Sequence, residues 1–373
     1  MKGLVPGEQS SVSSPILQLF CRSGEFLTDM DSGTFRIDCI SDPSTGATPV
    51  VVTTAFDASH KLGTGRYLVP TGDTALWTTG THRAICSYTM EAGGKTYTQV
   101  IEFEILDDVE FVTGSGFVSY ATSRAMLGVA ALASQSIATL QSNLALYSGL
   151  IEAWTRRFFE PRYFIMPLSG SRTISLRLNE AIIAIEDVRA KAKYASGEEY
   201  YNTWQKGSYQ VYNRHLDGLL APDDRRDPRL ELISDIELTE SVASIYSFNF
   251  PYGHQNVELL GVFGYTDPTP DPSGGRVSIG RTPSILAKVL TALVSRSILD
   301  PTLADITIQN PGAARSMSTR AQSITFGGAS ASSTVDNGMS GDPIIDRMLL
   351  PLCAPIRIAW TDQRDVLSNP DNF

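Results

Sequence analysis

Residues able to do chemistry are few and scattered. The four histidines, His60, His82, His215 and His254, have no second histidine, cysteine or acid at a metal-ligand spacing. Each is read as a structural or surface residue, and no metal ligand is assigned. Gly338-Met339-Ser340-Gly341 comes closest to a nucleophile elbow, but its second glycine falls one position early and no strand precedes it. It is read as turn chemistry. Gly63-Thr64-Gly65 lacks a third glycine in register, and no Gly-Lys-Ser/Thr phosphate loop occurs. Two groups are richer. Asp223-Asp224-Arg225-Arg226-Asp227 sets carboxylates beside arginines, a pattern able to do acid/base work, although a mixed-sign run ahead of Pro228 usually marks a solvated turn. The aromatics Tyr194, Tyr200, Tyr201, Trp204, Tyr209, Tyr212, Tyr246, Phe248, Phe250 and Tyr252 can line a sugar-binding groove or fill a strand core. No catalytic, cofactor-binding or metal residue is assigned, and the reading is that of a protein that is not an enzyme.

The elements that would position any site are organised around one stretch, Ala133 to Phe159. Ile137, Leu140, Leu144, Tyr147, Ile151, Trp154 and Phe158 recur at steps of three and four, the period of a helix face. Such a helix would be about 40 Å long, with Arg156 and Arg157 beside its C-terminal carbonyls. No charged residue occurs between Arg124 and Glu152. The positions away from the apolar face are Ser134, Gln135, Ser136, Thr139, Gln141, Ser142, Asn143 and Ser148. So many amides and hydroxyls exclude a membrane span. A face without charge suits contact with another protein, because desolvating charge is costly. The alternative is a polar face inside a monomeric bundle. Gln135, Thr139, Ser142 and Asn143 are the candidate inter-subunit residues.

The 373 residues suffice for two or three domains. A net charge of −10 argues against a protein that grips nucleic acid by its phosphates. Most of the acidity belongs to residues 1–110, which hold 14 acids against 7 bases. No export signal or anchor is read, so Cys21, Cys39, Cys86 and Cys353 are expected as reduced thiols. A Cys39–Cys86 bridge across a sandwich is the alternative.

In chain order, residues 1–14 read as a flexible Ser/Gly/Pro arm. Residues 15–111 hold seven short β-runs, the last two joined by Gly93-Gly94, which is the spacing of an immunoglobulin-like β-sandwich. Helices follow over 112–160, then a β-rich insertion over 161–280 and further helices over 281–353. Thr282-Pro283 and Asp342-Pro343 start the later helices. A long structureless loop is expected at 304–341, and residues 354–373 form a tail with one apolar run, Ile356 to Trp360.

From about Val118 the order of segments resembles the head-tail connector, or adaptor, family of tailed bacteriophages. The resemblance is carried by Tyr120-Ala-Thr-Ser with Leu127-Gly-Val; Ile151-Glu-Ala-Trp-Thr-Arg-Arg-Phe and Glu160-Pro-Arg; Ile182-Ile-Ala-Ile-Glu-Asp-Val; Phe263-Gly-Tyr; Arg281-Thr-Pro; and Gly341-Asp-Pro-Ile-Ile-Asp-Arg. It covers about two-thirds of the chain and rests on order and spacing. It implies an α+β multidomain chain, with the sandwich followed by an adaptor-type helical bundle carrying the β-rich insertion. It also implies a structural virion protein that forms a ring, usually of twelve copies, at the neck between portal and tail. The implied partners are the portal protein, tail terminator or other tail and neck proteins, further copies of itself, and genomic DNA passing through without specific binding. No membrane or cofactor is implied, and synthesis is expected in the host cytoplasm. Arg315, Arg320, Ile356, Ile358 and Trp360 are the candidate portal or neighbour contacts. The sandwich is expected as an outward accessory whose removal leaves ring assembly intact. The competing reading is a tail or baseplate module that binds a host glycan or another tail protein.

Overall fold

The computed structural model describes residues 2–40, 48–106, 116–127, 135–170, 172–193, 199–213, 223–233, 249–267, 282–299, 316–319, 322–325, 340 and 342–354. The fold is mixed α+β and strand-rich.

The N-terminal third is two sheets closed on one core. The larger runs in the order β1 (Lys2–Leu4), β10 (Thr96–Ile105), β9 (Gly80–Thr89), β5 (Ser32–Cys39) and β6 (Thr48–Ala55). The smaller is β2 (Gln18–Phe20), β8 (Arg66–Leu68) and β7 (Lys61–Gly63). Strict alternation builds the larger sheet: His82, Ala84, Cys86 and Tyr88 of β9 are buried, while Arg83, Ile85, Ser87 and Thr89 stay half-exposed. Leu19 and Tyr67 from the smaller sheet meet Phe35, Ile37, Ala84, Cys86 and Phe103 from the larger. Residues 2–14 are no loose arm. β1 pairs in parallel with Phe103–Ile105, and Leu4 is buried in the sandwich core, so its burial ties the segment down. Cys39 and Cys86 do not face each other across the core. They lie on neighbouring strands of one sheet, opposite His82 and Phe35, and all four cysteines are free thiols. Burial pushes the Cys86 thiol up to about 12.

The second sheet system is the insertion. β11 (Arg162–Gly170), β17 (Gly253–Phe263) and β13 (Ile182–Lys193) form its centre, with β14 (Glu199–Thr203) paired to β13. β12 (Ser175–Arg177), β16 (Arg229–Leu232) and β15 (Tyr209–Tyr212) form a separate three-stranded sheet that packs on it. Trp204, Tyr209 and Phe250 are buried there as core, Tyr212 is half-buried, and Tyr201 and Tyr252 are exposed. Tyr194, Tyr246 and Phe248 lie outside the described residues. Residues 316–319 and 322–325 pair as a two-stranded hairpin, β18 and β19, where an unstructured loop was expected.

The described residues hold four α-helices: α1 (Tyr120–Leu127), α2 (Ile137–Thr155), α3 (Ser284–Leu299) and α4 (Pro343–Leu349). Among the described residues the expected helical bundle is not evident. Two of the four are only two turns long. Their shared core is closed by Phe117, Phe159, Ala181 and Tyr265 from loops and sheet ends rather than by further helices. Asp342 caps α4 as its Asp-Pro start predicts, accepting the N–H of Ile344 at 2.8 Å.

The sandwich is welded to the rest of the chain. A hairpin of β3 (Arg22–Ser23) and β4 (Phe26–Leu27) leaves it and extends the insertion sheet, Phe26 pairing in parallel with Ile185. Phe20 and Leu27 share a small core with Ile183, Ala184 and Val262. Arg22 Nη1 donates to the carbonyl of Ile183 at 2.9 Å, and the Arg66 guanidinium lies 3.6 Å from the centre of the Tyr163 ring. The sandwich is therefore not a detachable accessory. Each large side chain uncovered by its loss costs about 1.5–3 kcal/mol, against a total stability of roughly 5–15 kcal/mol. A chain lacking residues 1–110 is predicted to lose its cooperative thermal transition and to bind a hydrophobic dye at 25 °C. A sharp melt within a few degrees of the full chain would reject this.

Candidate functional site: the long helix and its exposed face

α2 starts where Ser136 caps it, its hydroxyl accepting the N–H of Thr139 at 3.1 Å. It ends at Arg156, whose backbone is left-handed at φ 56°. The helix is thus 19 residues, about 28 Å, shorter than the apolar period suggested. Phe158 falls beyond it. Arg157 does not sit beside the helix carbonyls but turns inside at 2% exposure. Its Nη1 donates to the carbonyl of Arg225 at 2.9 Å, and its guanidinium lies 4.8 Å from the Tyr265 ring centre.

Three faces of α2 do different work. Leu140, Leu144, Tyr147 and Ile151 fill the core with α3. A second, polar face is also buried, which corrects the reading of all its polar residues as outward. Gln141 Nε2 donates to Glu104 Oε2 at 2.9 Å and to the carbonyl of Ile105 at 3.1 Å. The Ser148 hydroxyl accepts the N–H of Phe117 at 3.1 Å. Gly116 lies so close to α2 that a β-carbon there would meet the Leu144 carbonyl oxygen at 2.8 Å.

Glu104 is the anchor of this contact. Only 2% exposed, it also accepts the Thr81 hydroxyl at 2.7 Å and the N–H of Tyr120, the first residue of α1, at 2.9 Å. Thr81 in turn accepts the N–H of Ala121 at 3.0 Å. Burial holds the Glu104 carboxyl above its ordinary range, although these three donors favour the charged form.

The C-terminal exit of α2 is a second junction. The Thr155 carbonyl accepts the N–H of Ala354 at 2.8 Å, the Phe158 carbonyl that of Tyr265 at 2.6 Å, and the Phe159 carbonyl the Thr282 hydroxyl at 3.0 Å. Glu180 accepts the N–H of Phe158 and of Ala181. The run Asp223–Asp227 is no solvated turn. Arg225 is buried, held by Asp223 and Asp267 at 2.8 Å each, and its guanidinium lies 4.4 Å from the Tyr265 ring. The charges are structural ties.

The third face is open. Thr139, Leu146, Gly149 and Ala153 are exposed, Ser142 is half-buried between them, and their steps of three and four make one stripe. The stripe carries no charge over four turns, and Leu146 is 43% exposed on it. Gln135 and Asn143, the other two candidates, are half-buried. Beside the stripe lies a cleft of about 320 Å³ walled by Phe117, Gly149 and the charged groups of Lys2, Glu152, Glu160 and Arg162. Arg162 bonds Glu152 across it at 2.6 Å.

Arg315, Arg320, Ile356, Ile358 and Trp360 lie outside the described residues. His82 is buried and stacked on Trp77, His60 bonds within its own turn, and His215 lies outside the described residues. Among the described residues no group of three His, Cys, Asp or Glu side chains is placed to hold a metal, and no helix is long and apolar enough to cross a membrane. Neither a comparison with protein-family models nor a search of curated proteins returns a match.

Two predictions follow from the junctions. Glu104→Ala strands the Thr81 hydroxyl and the Tyr120 N–H and removes one of the two acceptors of the Gln141 amide, and should cost about 2–4 kcal/mol in urea unfolding. A change within 0.5 kcal/mol would remove Glu104 from this role. Burial raises Glu180 from 4.5 to about 7 against two N–H donors and Arg157. The folded chain therefore binds this proton more tightly than the unfolded chain. The stability it brings is complete below pH 4.5 and lost as pH rises through 7. The difference in Tm between the wild type and Glu180→Gln should shift across pH 4.5–7; a constant difference would refute the assignment.

Proposed function

We propose that this chain is a structural virion protein, a head-to-tail adaptor that forms a ring between portal and tail and leaves a conduit for DNA. The observation that carries this reading is the open face of α2, which is regular, uncharged over four turns and rigidly backed. A helix face kept for water carries lysine and glutamate, whereas one kept for protein loses charge. Heterologous contacts through such a face close rings when the rotation between copies closes. The resemblance in segment order from Val118 onward points the same way, and the two N-terminal sheets are then its added immunoglobulin-like module. Residues 111–373 carry only a slight net negative charge, 26 acids against 23 bases, and such a slightly acidic ring body would not hold DNA in its bore, as a passage through which DNA slides requires. The portal, tail and neck proteins are the proposed partners, and the virion neck is the proposed location.

The test is the mass of the purified 40.5 kDa chain, alone and mixed with the portal ring of the same virus. The expected result is a complex with about one copy per portal subunit, reduced at least tenfold in yield by Leu146→Glu. A monomer or trimer under both conditions would overturn the adaptor in favour of the glycan-binding module.

A further inference from the structure

The core of the sandwich holds two thiols, one from each sheet. Leu17, Leu19 and Cys21 alternate inward along β2 and its flanks, as His82, Ala84, Cys86 and Tyr88 do along β9. Cys21 and Cys86 are both fully buried in that one core. They lie within electrostatic reach of each other: burial first, then Cys86, then Asp29 push the Cys21 thiol above its ordinary range.

The backbone of Cys21 is held on both sides. Its N–H donates to the Gly65 carbonyl at 2.7 Å, and its carbonyl accepts the N–H of Thr28 at 3.0 Å. Gly65, left-handed at φ 63°, approaches so closely that a β-carbon there would meet the Cys21 carbonyl oxygen at 2.5 Å. Neither remaining cysteine can take the place of Cys21. Cys39 lies opposite His82, four residues along the sheet from Cys86, which is itself opposite Phe35. That offset is about 13 Å, whereas a disulfide needs α-carbons within about 7 Å. Cys353 belongs to the helical end of the molecule, where its Sγ donates to the Leu349 carbonyl at 3.6 Å.

We infer that Cys21 and Cys86 are a latent dithiol, which a small disulfide oxidant such as oxidised glutathione converts into a covalent staple between the two sheets. The Cys21 thiolate displaces one thiol of the oxidant to form a mixed disulfide. The Cys86 thiolate then attacks the Cys21 sulfur and releases the second. The two protons pass to the two thiols released, and the oxidant takes up the two electrons. Neither protein thiol meets solvent, so in the folded chain the first attack waits for the sheets to part. The smaller sheet, with strands of three residues, is the part able to open. In a reducing compartment the pair stays as thiols, and in an oxidising one it joins. The sandwich carries Glu104, so the staple firms the support of α1 and α2 as well.

The test uses the full-length chain with Cys353→Ser, which removes the half-buried thiol. It is unfolded in urea under reduction, refolded with oxidised or reduced glutathione at about pH 8, alkylated, and mapped by peptide mass spectrometry without reduction. The expected map of the oxidised sample joins the peptides of Cys21 and Cys86 within one chain and leaves Cys39 alkylated. Closing a loop of about 65 residues should raise the Tm by about 5 °C over the reduced sample. Neither Cys21→Ala nor Cys86→Ala should gain that shift. Cys21 or Cys86 left as a thiol or a glutathione adduct, a bond to Cys39, or an oxidised chain melting at or below the reduced one would overturn the pairing. Should the chain not refold from urea, the folded chain is held with oxidised glutathione a few degrees below its Tm, with the same criteria. No outcome bears on ring formation, so the adaptor reading stands or falls separately.

Discussion

Glu104 accepts a hydroxyl from the sandwich, the first amide of α1 and the side-chain amide of Gln141 on α2. A carboxylate removed from water is tolerable only with such a set of donors, and each donor comes from a different element. The constraint therefore acts on geometry more than on energy. Move α2 along its axis by one turn and Gln141 leaves Glu104, Ser148 leaves Phe117, and buried polar atoms lose their partners. Apolar packing of Leu140, Leu144 and Ile151 alone would tolerate such a slip, because aliphatic side chains are nearly interchangeable in contact. The polar face fixes the register that the apolar face permits.

At the other end of the helix, the same logic is repeated with charge. Arg157 and Arg225 approach one tyrosine ring, while Asp223 and Asp267 hold Arg225 and two backbone amides hold Glu180. These ties join the α2 exit to the starts of α3 and β13, the end of β17 and the last described residue, Ala354. With both ends pinned, the face between them is presented as a rigid rod. That rigidity lowers the ordering cost of any contact made through it.

The sequence made much of this legible where a local rule decides. Period-two alternation located β9 and β10, Gly93-Gly94 their turn, Asp342-Pro343 the start of α4, and period 3.6 found the buried side of α2. It failed where a distant partner decides. Nothing local says that Gln141 and Ser148 point inward, because a glutamine suits water and a buried carboxylate equally well. The Asp223–Asp227 run looked solvated for the same reason: its partners, Tyr265 and Asp267, are forty residues away. A clue did exist for Glu104, an acid at the end of an alternating strand just before the helices. The β3–β4 hairpin, two residues per strand, carries too little pattern to be read at all, yet it joins the two halves of the molecule.

Charge places a further limit on how copies of this chain can associate. Each carries −10, and at a Debye length of about 8 Å such bodies repel over the gap between neighbouring surfaces. If the proposed ring forms, a seam lined with more acid would not close, and one lined with compensating lysines would bind DNA, the polyanion the proposed conduit must release. An uncharged seam satisfies both demands. Its weakness is that threonine, serine and alanine give little specificity, so that the register of neighbours along it is poorly set.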